Sequence, residues 1–526
     1  MLHRVRSQPG HFLRARFAGL AVPSRRCHCS MAQLPPVPPL VQQQAAAQFR
    51  YDLPPELVAV HPAKPRGTSR LLVHVPATPS APQFGRDLHA AASAATAAQP
   101  LASGGAAFDF GFAQLPQLLP SDAHLIFNQS RVFAARVHAT ALSGDRGGGS
   151  GGVGGGGGSG IEVLFLSPLS SADPAAALAS PAAGQLWRVM VRAPLSSGGA
   201  RLAVAGGATS LHLEVEEVLA PWIEEGETDG VEAAVRLSLA SPSAAPTPTA
   251  ATPPPLAQLL GLLGEVPLPP YLRREALPSD GEDYQTVYAA AAQTGSVAAP
   301  TAGLHFTPEV LAALEARGVR SSSLALHVGA GTFKPVSAAT LGGHEMHAEP
   351  FAIDSAALAA LAESAAEGRP FVPVGTTSAR VLESIYWLGV AATDGGVAHG
   401  GRGDGDGGHL GHLGQWDAYQ LHAAAANTGR SRVEVLEALR ARADAAGGRL
   451  DGSTALCIAP GYPFAMCDGI VTNFHAPDST LMTLLSALVG GAPQAHGLYA
   501  HAIAQRYRFL SYGDSSLIAR AETETA

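Results

Sequence analysis

The chain has 526 residues, 46% of them apolar, enough for more than one ordinary domain around a real core. Its 34 basic and 42 acidic residues leave a net charge of −8, which excludes a generic polyanion binder and leaves room only for a local basic patch. Four cysteines without a disulfide or zinc spacing indicate a reducing compartment, and no apolar run approaches the ~20 residues of a membrane span.

The first 51 residues contain seven arginines and no acid. Residues 1–48 therefore read as an organelle transit peptide, mitochondrial or plastid, or else as a disordered basic tail on a cytoplasmic protein. Without those 51 residues, 27 basic residues face 42 acidic ones and the net charge is −15. The 59 glycines and 41 prolines are clustered: eleven glycines lie within 147–160, 240–257 is Ala/Pro/Thr/Ser, and 391–416 is Gly/His-rich. Such stretches cannot bury enough apolar surface to offset their ordering entropy. They read as disordered insertions at 143–160, 240–257 and 391–416.

In chain order, "YDLPPELVAVHPAKPRGTSRLLVHV" (51–75) ends in a strand, and 81–107 reads as an Ala-rich loop with a helix as the alternative. "AHLIFNQSRVFAARVHA" (123–139) is strand-like around a turn at Asn128–Ser130. Short alternating segments then follow to about 240, separated by Gly/Ser/Pro breaks, the pattern of a small antiparallel β-barrel over 137–262. Beyond it, "TPEVLAALEARGV" has Thr307 as N-cap, Pro308 at the first helical position and Gly318 as terminator. "RPFVPVGTTSARVLESIYWLG" and "DGIVTNFHAPDSTLMTLLSALVGG" each read strand, loop, helix. Strands alternating with helices define an α/β domain over 49–136 and 263–520. Ligands in such domains collect where loops leave the strand ends, and His305, Gly375–Ser378 and His475 fall there.

Each candidate has a bland alternative. "GSVAAPTAGLHFTPEV" crowds small side chains ahead of His305, giving a ligand clearance beside a helix N-terminus, or a histidine bonded within its loop. "LHVGAGTFKPV" adds His327, and "VGTTSARVLES" suits an anion or zwitterion, or simple capping by Thr377 or Ser378. "HEMHAE" (344–349) lacks the H-E-x-x-H spacing, so no metal is assigned, and a hydrolase around His344, Glu345 and His347 is the weakest reading. "TNFHAPDST" places His475, and "RYRFLSYGDSSLI" places Asp514, in turns that local bonding explains equally.

Taken together, these blocks with "GEVPLPPYLRR", "DYQTVYA" and "PGYPFAMCDGIVTNFH" resemble, in order, the S-adenosylmethionine:tRNA ribosyltransferase-isomerase family of queuosine biosynthesis. The resemblance implies a discontinuous α/β domain interrupted by a β-barrel. It implies S-adenosylmethionine as a substrate and no cofactor. The second substrate is a tRNA anticodon loop carrying 7-aminomethyl-7-deazaguanine at the wobble position. The ribosyl part moves to that base and is rearranged, adenine and methionine leave, and epoxyqueuosine results. A monomer without membrane association is expected.

Under this resemblance the chemistry needs a base for the ribose C5′ proton, which the sulfonium acidifies. His305 is the first candidate, with His327 and His475 as alternatives. Asp514 is the candidate donor to departing adenine. Glu265 is assigned to ribose hydroxyls or the sulfonium, and Tyr271 and Tyr284 to stacking. Ala299, Thr301 and Gly303 are expected to clear space for S-adenosylmethionine. Gly329, Gly331 and Thr332, with Gly375, Thr376, Thr377 and Ser378, are expected at its carboxylate and ribose. Arg131, Arg136, Arg273, Arg274, Lys334, Arg506 and Arg508 are candidate RNA contacts, each with an ordinary solvated charge as the alternative. Two departures bear on the acceptor: Gln129 stands where the family usually has Asp, and Asp478 where it tends to have Lys. A divergent paralogue using another acceptor, or a non-catalytic RNA-binding relative, are the other readings.

Overall fold

The strand Arg70–Val75 is buried along all but its first residue, as a strand with neighbours on both sides must be. It pairs parallel to Ser515–Ala519 and antiparallel to Ala106–Gly111. Gly469–Asn473 and Gln99–Pro100 complete this five-stranded sheet at its two edges. The chain is described by a computed structural model over residues 39–76, 82–142, 160–171, 173–193, 195, 199–205, 210–224, 227–240, 254–329, 336, 338–393, 408–424 and 430–522.

A second, six-stranded sheet runs in the order Phe371–Pro373, His124–Asn128, Arg320–Leu326, Glu349–Asp354, Arg449–Thr454, His409–Leu413. Its first three strands are mutually parallel, and the next two pairings are antiparallel. The two sheets meet at a parallel bridge between Val374 and Val471. There the Gly375 amide donates to the Val471 carbonyl at 2.8 Å. The helix Thr376–Thr393 starts at this junction and is buried almost throughout its length, so its first turn is anchored by packing on both sheets.

The third sheet is a closed antiparallel barrel of Arg136–Ala141, Ile161–Pro168, Leu186–Val191, Glu227–Ala240, Ser210–Glu224 and Arg201–Val204. Closure comes from Thr140 and Ala141 pairing with Ala203 and Leu202, which removes the edges an open sheet would expose. Leu211, Leu213 and Val215 alternate inward with Trp187, Phe165 and Val189 in a continuous core. The short helices Pro174–Ala179 and Leu256–Leu263 pack against that core through Leu178, Leu256 and Leu260. The described residues form one compact unit that includes the barrel and both sheets.

Mixed α/β sheets with an inserted barrel are the architecture expected. Two local expectations change. The Ala-rich stretch after residue 81 holds the helix Gln83–Ala95, because Phe84, Leu88 and Ala92 recur at one face and bury there. The stretch 391–416 contains the end of the helix Thr376–Thr393 and the strand His409–Leu413, whose Leu410 and Leu413 are buried beside Arg449–Thr454. The transit-like head up to residue 38, the glycine run at 143–159 and the 241–253 insertion lie outside the described residues. No helix among the described residues is long and apolar enough to cross a membrane.

Candidate active site

Loops leaving several strands converge where the two sheets meet. Residues Ala298–Ala302 follow the strand Thr294–Ser296, Gly375–Thr377 follow Phe371–Pro373, and Phe474–Ser479 follow Gly469–Asn473. With Val328, Leu510, Ser511, Tyr271 and Tyr284, all of these but Pro477 line one cavity. The turn into the long helix needs its glycine, since Gly375 has φ +91°. The first N–H groups of that helix have no intrahelical carbonyl to bond; the Gly375 amide is taken by Val471, and Thr376 and Thr377 lie on the cavity wall.

His475 is the histidine on this wall. It is buried, its Nε2 lies 3.1 Å from Thr472 Oγ1, and its backbone N–H donates to the Tyr499 hydroxyl at 3.0 Å. The Tyr51 hydroxyl in turn donates to its carbonyl. Burial lowers its pKa to about 4, so the imidazole is neutral and can accept a proton at neutral pH.

His305 is not on the wall. Its Nδ1 lies 2.8 Å from Ser69 Oγ, its Nε2 lies 3.1 Å from Asn473 Nδ2, and its ring packs on Phe112 at 5.1 Å. Asn473 Nδ2 also donates to the Leu510 carbonyl at 3.0 Å. A carbonyl only accepts, so the amide orientation is fixed and Nε2 of His305 is an acceptor. Asn473 lines the cavity, and its Oδ1 is buried without a hydrogen-bond partner among the described residues.

Ala299, Thr301, Gly375, Thr376 and Thr377 of the expected ligand residues line the cavity with Tyr271 and Tyr284. Others are placed elsewhere. Gly303 makes room for a core side chain: a Cβ there would stand 1.9 Å from the Tyr288 hydroxyl. Ser378 donates to the Val374 carbonyl at 2.8 Å and is fully buried. Glu265 sits on the barrel's outer pairing, 3.1 Å from His138 Nε2. Asp514 accepts from the Arg70 and Arg508 amides at 3.0 and 2.8 Å and pairs with the Arg508 guanidinium, which closes a turn. His327 and Gly329 line a separate cleft between barrel strands and the six-stranded sheet. Burial lowers the His327 pKa to about 4. Gly331, Thr332 and Lys334 lie outside the described residues.

The arginines divide in the same way. Arg274 is locked bidentately to Asp280 at 2.7 and 2.8 Å, Arg508 to Asp514, and Arg136 faces Glu162 at 3.4 Å. Arg131, Arg273 and Arg506 are exposed, with no acidic partner among the described residues. Asp478 is on the cavity wall, whereas Gln129 is held by its backbone to Leu324 and Ala290.

Asn473, Arg380 and Glu349 carry no assignment from the sequence. Arg380 lies one turn after Thr376 on the same helix face, a spacing already present in "GTTSAR". Glu349 closes "HEMHAE" and pairs with Arg380 at 2.8 Å.

A half-closed cavity that gathers a neutral histidine, hydroxyls, free helix N–H groups and aromatic rings at strand ends defines an enzyme for a small polar substrate. The family described as "Queuosine biosynthesis protein" matches residues 46–399 and 421–518, and the chain belongs to that family. It is 34% identical over 476 residues to the S-adenosylmethionine:tRNA ribosyltransferase-isomerase of Anaeromyxobacter sp. (strain Fw109-5), covering 90% of this chain and 99% of that one. The protein of the same description from Parvibaculum lavamentivorans is 34% identical over 474 residues, covering 90% and 98%. The solved structure of the Thermotoga maritima S-adenosylmethionine tRNA ribosyltransferase matches at 21% identity and a TM-score of 0.36, over 90% of this chain and 99% of that one.

Proposed function

We propose that this chain is an S-adenosylmethionine:tRNA ribosyltransferase-isomerase. It transfers and rearranges the ribosyl moiety of S-adenosylmethionine onto 7-aminomethyl-7-deazaguanine at the tRNA wobble position. Epoxyqueuosine forms, and adenine and methionine are released. The observation that carries this reading is the cavity at the sheet junction, lined by Ala298–Ala302, Gly375–Thr377 and His475, in a chain of the queuosine biosynthesis family.

In this reading His475 takes the C5′ proton that the neighbouring sulfonium acidifies. Its neutral imidazole is competent for that step. Asn473 Oδ1 offers an acceptor to a ribose hydroxyl or the adenine amino group. The hydroxyls of Tyr271, Thr376, Thr377 and Ser511 are the wall groups that can donate to departing adenine. Tyr271 supplies a ring face for a flat base or a sulfonium, whereas Tyr284 is fully buried and packs on Tyr512. The tRNA remains outside, met by exposed cations such as Arg131, Arg273 and Arg506.

We read the arginine-rich head as an organelle transit segment and the processed chain as a monomer. Incubation with S-adenosylmethionine and precursor tRNA, followed by mass analysis of the wobble nucleoside, tests the function. Epoxyqueuosine is the expected product. Adenine release with an unmodified tRNA would instead establish a paralogue with another acceptor. Asp478 on the wall, in place of the family's usual lysine, is what favours that second reading.

A further inference from the structure

Arg380 stands out among the buried charges. Only 5% of the residue is exposed, yet it lines the cavity. Its Nη1 donates to Glu349 Oε2 at 2.8 Å. Glu349 is itself buried, and its other oxygen accepts from the Gly329 amide at 3.2 Å. Among the described residues, the remaining edge of the guanidinium, Nε and Nη2, has no hydrogen-bond partner. Those two N–H groups are parallel and form the fork that takes a carboxylate side-on.

A buried guanidinium with two open donors is costly unless an acceptor arrives to fill them. Glu349 cannot be that acceptor, because it already holds the opposite edge and orients the free one. Side chains lean towards a helix's N-terminus, so Arg380 reaches back to the first turn at Thr376 and Thr377. There the free backbone N–H groups and the positive end of the helix dipole favour the same kind of ligand. Gly375 and Ala302, small residues, share one wall of the cavity with Thr376, Thr377 and Arg380.

We infer that Arg380 binds the α-carboxylate of the methionyl group of S-adenosylmethionine, with Glu349 as the residue that positions it. The inference rests on the function proposed above and adds the polarity of the bound substrate. The amino-acid end lies at the start of the helix Thr376–Thr393, and the nucleoside end lies towards Asn473, His475 and the tyrosine rings. A backbone phosphate of tRNA does not meet this geometry, since a fork sunk in the cavity floor is out of reach of a polymer on the surface.

The test is calorimetric titration of the full chain with S-adenosylmethionine and with decarboxylated S-adenosylmethionine, which keeps the sulfonium and the nucleoside. Wild type is expected to prefer the carboxylated compound by about 10- to 100-fold, the effect of a charge-assisted bidentate pair. R380K keeps the charge and loses the fork, and is expected to lose most of that preference. The R380Q/E349Q double variant leaves no unpaired buried charge and retains an acceptor for the Gly329 amide. It is expected to bind both compounds alike, with the decarboxylated compound held as tightly as by wild type. No preference in wild type overturns the inference, and so does a preference that survives in R380Q/E349Q. Equal weakening towards both compounds in a variant that still melts cooperatively also overturns it, since Arg380 would then only shape the cavity. If wild type binds neither compound, the proposed function fails and the inference with it. Binding without discrimination sinks the inference alone.

Discussion

Asn473 donates from a single amide nitrogen to His305 Nε2 at 3.1 Å and to the Leu510 carbonyl at 3.0 Å, which leaves its buried Oδ1 without a hydrogen-bond partner among the described residues. In the proposed reaction this relationship makes His305 a positioning residue. Both of its ring nitrogens are occupied, and burial lowers its pKa to about 4. His305→Leu and Asn473→Ala should each lower kcat/KM for adenine release about tenfold, the worth of one hydrogen bond. Because the two act through one oxygen, the double variant should be little worse than either single. Additive losses, with His305→Leu alone beyond about 100-fold, would mark His305 as the base.

In the proposed reaction His475 acts directly. His475→Gln should leave S-adenosylmethionine binding within a few-fold of wild type and slow adenine release by about 100-fold or more, as removal of a general base does. Calorimetry and a single-turnover adenine assay separate the two effects. Turnover near normal would take the role away from His475.

Much of the scaffold is legible in the sequence where a local rule acts alone. Thr307, Pro308 and Gly318 bound their helix by capping, with Thr307 accepting from the Val310 amide at 3.3 Å and Gly318 at φ +88°. The barrel follows from two-residue alternation closed by turns. The site is less legible, because its contacts join residues far apart in the chain. Nothing near position 305 shows that Asn473, 168 residues away, occupies the ring nitrogen. Gly303 and Ala299 look equivalent as small residues, yet one faces Tyr288 and the other the cavity. Arg380 falls within one of the family-like blocks, but a charge on a helix ordinarily points to solvent, and no local signal marks this one as buried.

That difference between two small residues can be measured. Ala299→Leu fills the cavity and should raise KM for S-adenosylmethionine at least several-fold with little change in Tm. Gly303→Ala forces a Cβ to within 1.9 Å of the Tyr288 hydroxyl and 2.7 Å of Thr286 Cγ2. It should destabilise by about 1–3 kcal/mol, as overpacking does, with KM unchanged in the folded fraction. Tyr288→Phe should recover part of that loss by removing the nearest atom. A KM effect at position 303 without a Tm effect would restore its role in ligand clearance.

The arginines make a prediction about salt. Arg131→Ala, Arg273→Ala and Arg506→Ala should each weaken tRNA binding and reduce the slope of log K against log salt by about 0.7–0.9 for every phosphate the arginine neutralises. Arg274→Ala should leave that slope unchanged and lower Tm, because it strands Asp280, which is buried and also accepts from the Tyr512 hydroxyl at 2.8 Å. A changed slope in Arg274→Ala, with the exposed three silent, would reverse the assignment.

Acid sensitivity has a structural origin in histidines buried neutral. His74, His124, His305, His327 and His475 all have pKa values lowered to about 4, chiefly by burial. Below pH 6.5 the unfolded chain protonates such a histidine before the folded one does. Stability is therefore full above that pH and falls as pH drops towards 4, by up to about 1.4 kcal/mol per pH unit for each group. His74 isolates the effect, since it is not among the cavity-lining residues and neither ring nitrogen has a hydrogen-bond partner among the described residues. His74→Leu should stabilise by about 1–3 kcal/mol at pH 7 by removing unsatisfied polar atoms. Its advantage should grow by roughly 2 kcal/mol at pH 5, where one fewer proton is drawn to the unfolded state. Urea midpoints at the two pH values measure both parts. An advantage that does not change between pH 7 and pH 5 would mean that His74 carries its proton in the folded protein.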